Sequence, residues 1–183
     1  MLPPDTIAVF GGSFNPPHMG HQIACLYLLE ALGCAEVWLV PAAEHPFGKE
    51  LLPFKHRAAM LELLAAPLGS RVQINPVETT LSHGGKTYET LRHLQRQYPK
   101  KHFAFVVGAD ILAEAKNWYR WNDLEKEFTI VVLGRTGFKG GDKLILPAVS
   151  SSEVRSALSA DKSVEGWVPL KVIDYIRTHG LYH

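Results

Sequence analysis

Two histidines, His18 and His21, stand three residues apart, directly after a loop rich in glycine and proline. At this spacing in a helical turn both imidazole rings share one face, and both can donate hydrogen bonds to one anion. A helix start beside them would add unpaired backbone N–H groups and the positive end of a dipole, a natural seat for phosphate. Gly11 and Gly12 let the backbone turn sharply and approach a ligand closely. The pattern therefore predicts a phosphate-binding loop.

Two other interpretations of the histidine pair stay open from the residues alone. His-x-x-His is half of a metal site, although no nearby Cys, Asp or Glu completes a ligand set. The two residues could also be structural histidines without a ligand. The loop is neither a dinucleotide-binding GxGxxG nor a P-loop GxxxxGK, so those two mechanisms are not supported.

A second polar cluster, Ser151 and Ser152 followed by Arg155, stands late in the chain. Serines at a helix start cap the helix and offer hydroxyl groups to phosphate. Arg155, one turn further on, carries a planar guanidinium that can bind two phosphate oxygens at once. The alternative is a capped surface helix with a solvated arginine.

The elements that would position these residues alternate along the chain. Short apolar runs predict strands at Ile7–Phe10, Glu36–Val40, Val72–Val77, His102–Val107, Phe128–Leu133 and Lys143–Leu146. Helical patterns lie at Met19–Leu32, Phe54–Ala66, Thr87–Tyr98, Asp110–Lys116, Ser151–Ser159 and Pro169–Thr178. This alternation predicts an α/β fold, a Rossmann-like three-layer sandwich with a mainly parallel sheet and C-terminal helices. Ligands of such sheets bind beyond the carboxyl ends of the strands.

Size and charge narrow the class of protein. A chain of 183 residues predicts one domain, residues 1–183. A formal net charge of +1 gives no field that would hold a nucleic acid or an anionic membrane. No signal peptide and no apolar run of about 18 residues is seen, so we expect a cytoplasmic protein. Cys25 and Cys34 are expected to be small buried or half-buried thiols.

Several segments resemble one known family. GGSFNPPHMGH resembles the G-x-F-D/N-P-x-H-x-G-H signature of the nucleotidyltransferase superfamily, and residues 149–155 resemble its I-S-S-T-x-I-R motif. Val107-Gly108-Ala109-Asp110 with Trp118 is similar to the G-x-D…W segment of nicotinate mononucleotide adenylyltransferases. The last residues, 168–182, match the family ending V-P-x-x-V-x-x-Y-I-x-x-H-G-L-Y, a stretch that we expect to pack rather than to catalyse.

The resemblance implies an adenylyltransferase that joins nicotinate mononucleotide to AMP from ATP, giving deamido-NAD and pyrophosphate. It assigns catalysis to His18, His21 and Arg155. The ATP site implied is Gly11, Gly12, Ser13, Phe14, His18, Gly20, His21, Gly108, Asp110, Ser151, Ser152 and Arg155. The mononucleotide site implied is Asn15, Lys49, Thr87, Tyr88, Trp118 and Arg135. Mg²⁺ would be held mainly through the ATP phosphates, with no metal ligands from the protein.

The chain departs from the family pattern on the mononucleotide side. The family commonly has P-P-H-K after the second strand, where this chain has Glu44 to Lys49, and S-Y-T-x-D-T-L, where it has Lys86 to Leu91. The alternatives are an adenylyltransferase for nicotinamide mononucleotide or for both bases, a phosphopantetheine adenylyltransferase, and a catalytically silent nucleotide-binding module. The short chain leaves no room for the anticodon-binding part of a class I aminoacyl-tRNA synthetase, which uses a related histidine signature.

Overall fold

The computed structural model describes residues 2–43, 50–81, 86–115, 117–141 and 144–183, and within them the strands form one parallel sheet. The strands are β1 (Thr6–Gly12), β2 (Glu36–Pro41), β3 (Val72–Ile74), β4 (His102–Gly108), β5 (Thr129–Arg135) and β6 (Ile145–Leu146). Their order across the sheet is β3-β2-β1-β4-β5-β6, and each pair of neighbours is parallel. The sheet therefore extends from β1 on both sides, through β2 to β3 on one side and through β4 and β5 to β6 on the other.

Helices cover both faces of this sheet. They are α1 (Met19–Glu30), α2 (Phe54–Ala65), α3 (Thr87–Gln97), α4 (Leu112–Ala115), α5 (Trp121–Glu127), α6 (Ser151–Leu158) and α7 (Leu170–Thr178). One core cluster joins the sheet to α1, α2, α6 and α7, and we call these helices the first layer. A second cluster joins the sheet to α3 and α5, the second layer. The result is a three-layer sandwich.

The first strand shows how the sequence produces these layers. Because successive side chains of a strand point to opposite faces, Ala8 packs in the first cluster while Ile7 and Val9 pack in the second. All three are at most 3% exposed. A strand buried on both faces needs apolar residues at every position rather than at alternate ones. This is why β1 reads as one short, continuous apolar run.

The fold class expected from the sequence is confirmed, and helix α1, expected to reach Leu32, ends at Glu30. Gly33 has φ of 72°, and the N–H of Cys34 beyond it bonds to the carbonyl oxygen of Leu28. Cys34 and Cys25 are both buried free thiols. Burial raises the pKa of Cys34 to about 11, so it stays protonated.

Two element predictions were wrong. The strand expected over Val72–Val77 ends at Ile74, because the Asn75 side chain accepts a hydrogen bond from the Val77 N–H and turns the chain into a 3₁₀ turn, Val77–Thr80. Helix α5 was not predicted, since its seven residues carry four charges. It is held by tertiary packing of two residues, Trp121 and Leu124, which are 7% and 1% exposed.

The sheet topology directs attention to the carboxyl end of β1. There β1 ends at Gly12 between β2 and β4, which is where the strand order reverses. In open parallel sheets this point leaves a crevice that helices do not cover. None of the helices in the described part of the chain is long and apolar enough to cross a membrane.

Candidate functional site

A cavity of about 310 Å³ lies at the carboxyl ends of β1, β2, β4 and β5. Ten of the residues expected from the sequence line it: Gly11, Gly12, Ser13, His18, Gly20, His21, Gly108, Asp110, Trp118 and Arg135. Thr87, at the start of α3, is an eleventh. The structure therefore gathers residues from five separate chain segments at the switch point of the sheet.

The histidine pair stands where the chain enters α1. His18 is the last residue before the helix and His21 lies in its first turn, with ring centroids 3.8 Å apart. The backbone N–H of His18 donates to Nδ1 of His21 over 3.1 Å. Gly20 leaves room for them, because a Cβ there would lie 3.0 Å from the His18 ring and would push it out of place. The motif spacing thus fixes both the proximity and the orientation of the rings.

Burial keeps both imidazoles neutral. The pKa of His18 is lowered to about 4, first by burial and then by the positive charge of Arg135. The pKa of His21 is lowered well below its usual value by burial, by His18 and by Arg135. Since Nδ1 of His21 accepts a hydrogen bond, the single ring proton of His21 sits on Nε2. At neutral pH the pair can therefore act as uncharged N–H donors.

Phe14 packs against the histidine pair and does not line the cavity. Its ring is 2% exposed and contacts the His21 ring at a centroid distance of 4.9 Å. Its backbone has φ of 48°, a left-handed conformation that an aromatic residue rarely adopts. Gly12 accommodates the ring, because a Cβ on Gly12 would lie 3.1 Å from it. The role expected for Phe14 is accordingly indirect.

An ion pair joins the ends of β4 and β5 across the cavity. The guanidinium of Arg135 lies 3.3 Å from the carboxylate of Asp110 and also donates to the carbonyl oxygen of Val149 over 3.1 Å. A Cβ on Gly108 would lie 2.4 Å from Oδ1 of Asp110, so a side chain there would displace this carboxylate. That Oδ1 atom is buried and has no partner among the described residues. We call His18, His21, Asp110 and Arg135 the histidine group.

The second polar cluster, Ser151, Ser152 and Arg155, lies against the loop that leads into α1. Ser150, one residue earlier than the sequence suggested, caps α6 by accepting the N–H of Glu153. Ser151 and Arg155 donate to backbone oxygens of the loop that precedes His18, and Arg155 also contacts the Ser152 hydroxyl at 3.2 Å. These three residues do not line the cavity in this structure. They contact the loop that carries the histidines.

The opposite wall of the cavity comes from the second layer. Trp118 is half-buried there, and its ring centroid lies 6.0 Å from that of Phe105. Thr87 presents the first turn of α3 to the same space. Tyr88 does not: its hydroxyl donates to Glu127 over 2.7 Å, and the Arg120 guanidinium lies over its ring. Lys49 falls outside the described residues. We call Glu78, Thr87, Phe105 and Trp118 the tryptophan group.

Residues 9–157 match the model of the cytidylyltransferase-like family. A protein of Anaeromyxobacter dehalogenans strain 2CP-1, named probable nicotinate-nucleotide adenylyltransferase, is 44% identical over 182 residues, which cover 96% of each chain. A protein of the same name from Myxococcus xanthus is 36% identical and covers 100% of this chain and 97% of its own. This chain belongs to the nicotinate-nucleotide adenylyltransferase family.

A solved structure shares the fold of this family member. The nicotinic acid mononucleotide adenylyltransferase of Plasmodium falciparum, complexed with NaAD, superposes with a TM-score of 0.84 and 23% identity, covering 97% of both chains. At that identity the likeness concerns the fold. The six-stranded parallel sheet with helices on both faces is thus an architecture that an experimental structure also has.

Two functional candidates in this family member were missed from the sequence. Glu78 lines the cavity, and its carboxylate accepts from the Ala43 N–H and the Thr90 hydroxyl. Burial raises its pKa. The signal available was its place directly after the strand predicted over Val72–Val77, at the carboxyl end where ligands of such sheets bind. Arg57 is 1% exposed in α2 and binds backbone oxygens next to the cavity. An arginine on an apolar helix face was its only sequence signal.

Proposed function

We propose that this chain transfers the adenylyl group of ATP to the phosphate of nicotinate mononucleotide. One phosphate oxygen of the mononucleotide attacks the α-phosphorus of ATP, and the bond from that phosphorus to the bridging oxygen of the β-phosphate breaks. The products are deamido-NAD and pyrophosphate. The observation that carries the proposal is the pair of neutral imidazoles at the start of α1, in a cavity at the switch point of the sheet. Family membership names the reaction.

This chemistry asks for positioned donors rather than for a general base. The attacking phosphate is already ionised at pH 7, so no residue has to remove a proton from it. The barrier falls when the reacting atoms are held in line and the charge on the triphosphate is neutralised. His18 and His21 supply uncharged N–H donors, and Arg135 supplies positive charge in the same group. At the start of α1 the Met19 N–H donates to the Trp167 carbonyl oxygen and the His21 N–H to the His18 carbonyl oxygen, so the helix start adds chiefly the positive end of its dipole.

Mg²⁺ is proposed to enter with ATP. Among the described residues no cluster of three or more His, Cys, Asp or Glu could hold a metal ion, so the donor set suits a cation that is bound by phosphate and water. Asp110 lines the same cavity as the histidines, and its Oδ1 atom is buried without a hydrogen-bond partner among the described residues. When bound, the cation would neutralise charge on the triphosphate, while the protein residues orient it.

The tryptophan group is the proposed seat of the pyridine base. An indole face attracts a cationic ring, and the nicotinate ring of the mononucleotide is a pyridinium. Trp118 is held edge-on against Trp121 at a centroid distance of 5.9 Å, so its orientation is set before a ligand arrives. The first turn of α3 at Thr87 offers backbone N–H groups to the ring carboxylate. The NaAD complex of the Plasmodium protein agrees with a pyridine dinucleotide as product.

The experiment is an acceptor panel with ATP and Mg²⁺ that follows pyrophosphate and dinucleotide together. We expect equal amounts of the two products with nicotinate mononucleotide. The acid should be preferred over nicotinamide mononucleotide by about 10- to 100-fold in kcat/KM, because the amide leaves one or two buried donors poorly paired. Pyrophosphate without dinucleotide would indicate a hydrolase and overturn the proposal. A tenfold preference for the amide would overturn the choice of base.

A further inference from the structure

The loop from Ser13 to Pro16 is anchored by its oxygen atoms. Four donors from distant parts of the chain hold three backbone carbonyl oxygens and one side-chain oxygen of this loop. They are Arg57 to the Ser13 carbonyl at 2.9 Å, Tyr182 to Oδ1 of Asn15 at 2.7 Å, Arg155 to the Asn15 carbonyl at 2.7 Å and Ser151 to the Pro16 carbonyl at 2.8 Å. Two of these donors, Arg57 and Tyr182, belong to neither the expected site nor the cavity wall.

The direction of these bonds matters for an anionic ligand. Carbonyl oxygens carry partial negative charge, so oxygens facing the cavity would repel phosphate. Because a trans peptide unit is planar, its C=O and N–H point in opposite directions. Drawing the Ser13 carbonyl towards buried Arg57 therefore turns the N–H of Phe14 the other way.

In the segment after β2, hydrogen bonds hold both the carbonyl oxygen and the N–H of one peptide unit. Arg57 also binds the carbonyl oxygen of Ala42 over 2.8 Å. The N–H of the next residue, Ala43, donates to the carboxylate of Glu78, which lines the cavity. One buried guanidinium thus sets the orientation of peptide units after both β1 and β2. A third bond, to the Leu52 carbonyl at 2.8 Å, fixes the guanidinium itself.

We propose that Arg57 and Tyr182 are positioning residues that hold the Ser13–Pro16 loop with its oxygens turned away from the phosphates of the nucleotide. The inference rests on the proposed function for the identity of the ligand. It also gives the C-terminal His-Gly-Leu-Tyr segment a task beyond packing. Tyr182 reaches back across almost the whole chain to Asn15, which is 5% exposed.

The chemistry of the two residues exceeds what packing requires. Arg57 is 1% exposed and makes no ion pair with any described carboxylate, although an unpaired charge is costly to bury. Burial lowers its pKa. A methionine or leucine would fill the same space without that cost. Only a planar group with several donors can hold carbonyl oxygens of three chain segments at once.

Tyr182→Phe removes one hydroxyl and keeps the ring, so it is the first test. The matched control is Tyr175→Phe, which removes a hydroxyl that contacts His56 at 3.0 Å on the α2–α7 contact, away from the loop. The readouts are kcat/KM for ATP and the dissociation constant of an ATP analogue with a methylene group between the α- and β-phosphorus atoms. We expect Tyr182→Phe to weaken both by about 3- to 10-fold and Tyr175→Phe to change neither by threefold.

A loss below threefold in Tyr182→Phe, or an equal loss in Tyr175→Phe, would overturn the inference. Arg57→Lys keeps the charge and loses the fork, and we expect a loss of about 10- to 100-fold, the scale of a small misplacement of binding groups. Its control is Met60→Ala, which destabilises the same helix from the buried core without touching the loop. If both lower Tm but only Arg57→Lys weakens analogue binding, positioning is supported. Equal analogue affinity in both overturns it.

The two proposals fail in different ways. A parent protein that forms no dinucleotide overturns the proposed function, yet its affinity for the unreactive analogue still tests the loop. A fully active parent whose Tyr182→Phe variant is equally active keeps the proposed function and removes the positioning role. Should Arg57→Lys fail to fold, the tyrosine pair alone decides.

Discussion

The histidine group and the tryptophan group line different parts of the same cavity. The residues of the histidine group come from one eleven-residue motif, which ends in the first turn of α1, and from the ends of β4 and β5. Its members influence one another directly, as the Arg135 charge lowers the pKa of both His18 and His21. The tryptophan group draws Glu78 from the 3₁₀ turn after β3, Thr87 from the start of α3 and Trp118 from the segment before α5.

The two groups are held in place by different kinds of contact. On the histidine side, ring contacts, an ion pair and the anchored loop fix donors before a ligand arrives, as transition-state stabilisation requires. On the tryptophan side, Trp118 is held by aromatic contacts with Phe105 and Trp121, and Glu78 accepts hydrogen bonds from the Ala43 N–H and the Thr90 hydroxyl. Changes in the histidine group should therefore affect turnover, and changes in the tryptophan group should affect the affinity for one substrate.

The largest effect is expected for His21→Ala. The variant removes a donor that acts on charge developing in the transition state, so kcat should fall by about 100-fold or more. The folded structure should survive, because Phe10 and Phe14 still fill the space around the ring. The measurement is kcat at saturating ATP and mononucleotide.

His56→Ala is the control for that variant. His56 lies on α2 against Tyr175 and His179, outside the cavity, and its loss should leave kcat within about twofold. Near-normal turnover in His21→Ala would remove the histidine from the reaction. It would also remove the contrast between the two groups.

The sequence predicted the histidine side far better than the other. The motif is contiguous, so the residues that act together are adjacent in the chain, and a helix start fixes their geometry. The tryptophan side depends on tertiary packing. Tyr88 follows Thr87 in the sequence, yet the helix turns it towards Glu127, while Glu78 reaches the cavity from a 3₁₀ turn that the pattern did not predict.

The anchoring of the loop escaped prediction for the same reason. Arg57 and Tyr182 lie 44 and 167 residues from the loop residues they bind. No local pattern records such a contact, because it exists only once α2 and the C-terminal segment have packed against the first layer. By contrast, the alternation of apolar runs and helical patterns was enough for the sheet and most of its helices.

A smaller effect, confined to one substrate, is expected for Trp118→Leu. Loss of the indole face should raise KM for the pyridine mononucleotide by about 3- to 30-fold, the range of a partly desolvated cation–π contact. KM for ATP should stay within about twofold. Trp167→Leu is the matched control, since that side chain is 43% exposed. An equal rise in KM for both substrates would contradict the division of the cavity.

The smallest effect concerns pH and the stability of the ligand-free protein. The pKa of His18 is lowered from 6.5 to about 4 in the folded state, so between these values the unfolded chain binds the proton more readily. The lowered pKa therefore leaves the free energy of unfolding unchanged above about pH 6.5 and reduces it as pH falls towards 4, because the unfolded chain takes up the proton more readily. The full reduction is about 3 kcal/mol. His18→Asn, which keeps a good helix-capping residue, should flatten the fall of unfolding free energy over that window.

His183→Asn, at the exposed C-terminus, should leave the slope unchanged. Denaturant unfolding at several pH values measures both, and equal slopes in His18→Asn and the parent would show that the buried imidazole does not titrate as its surroundings require.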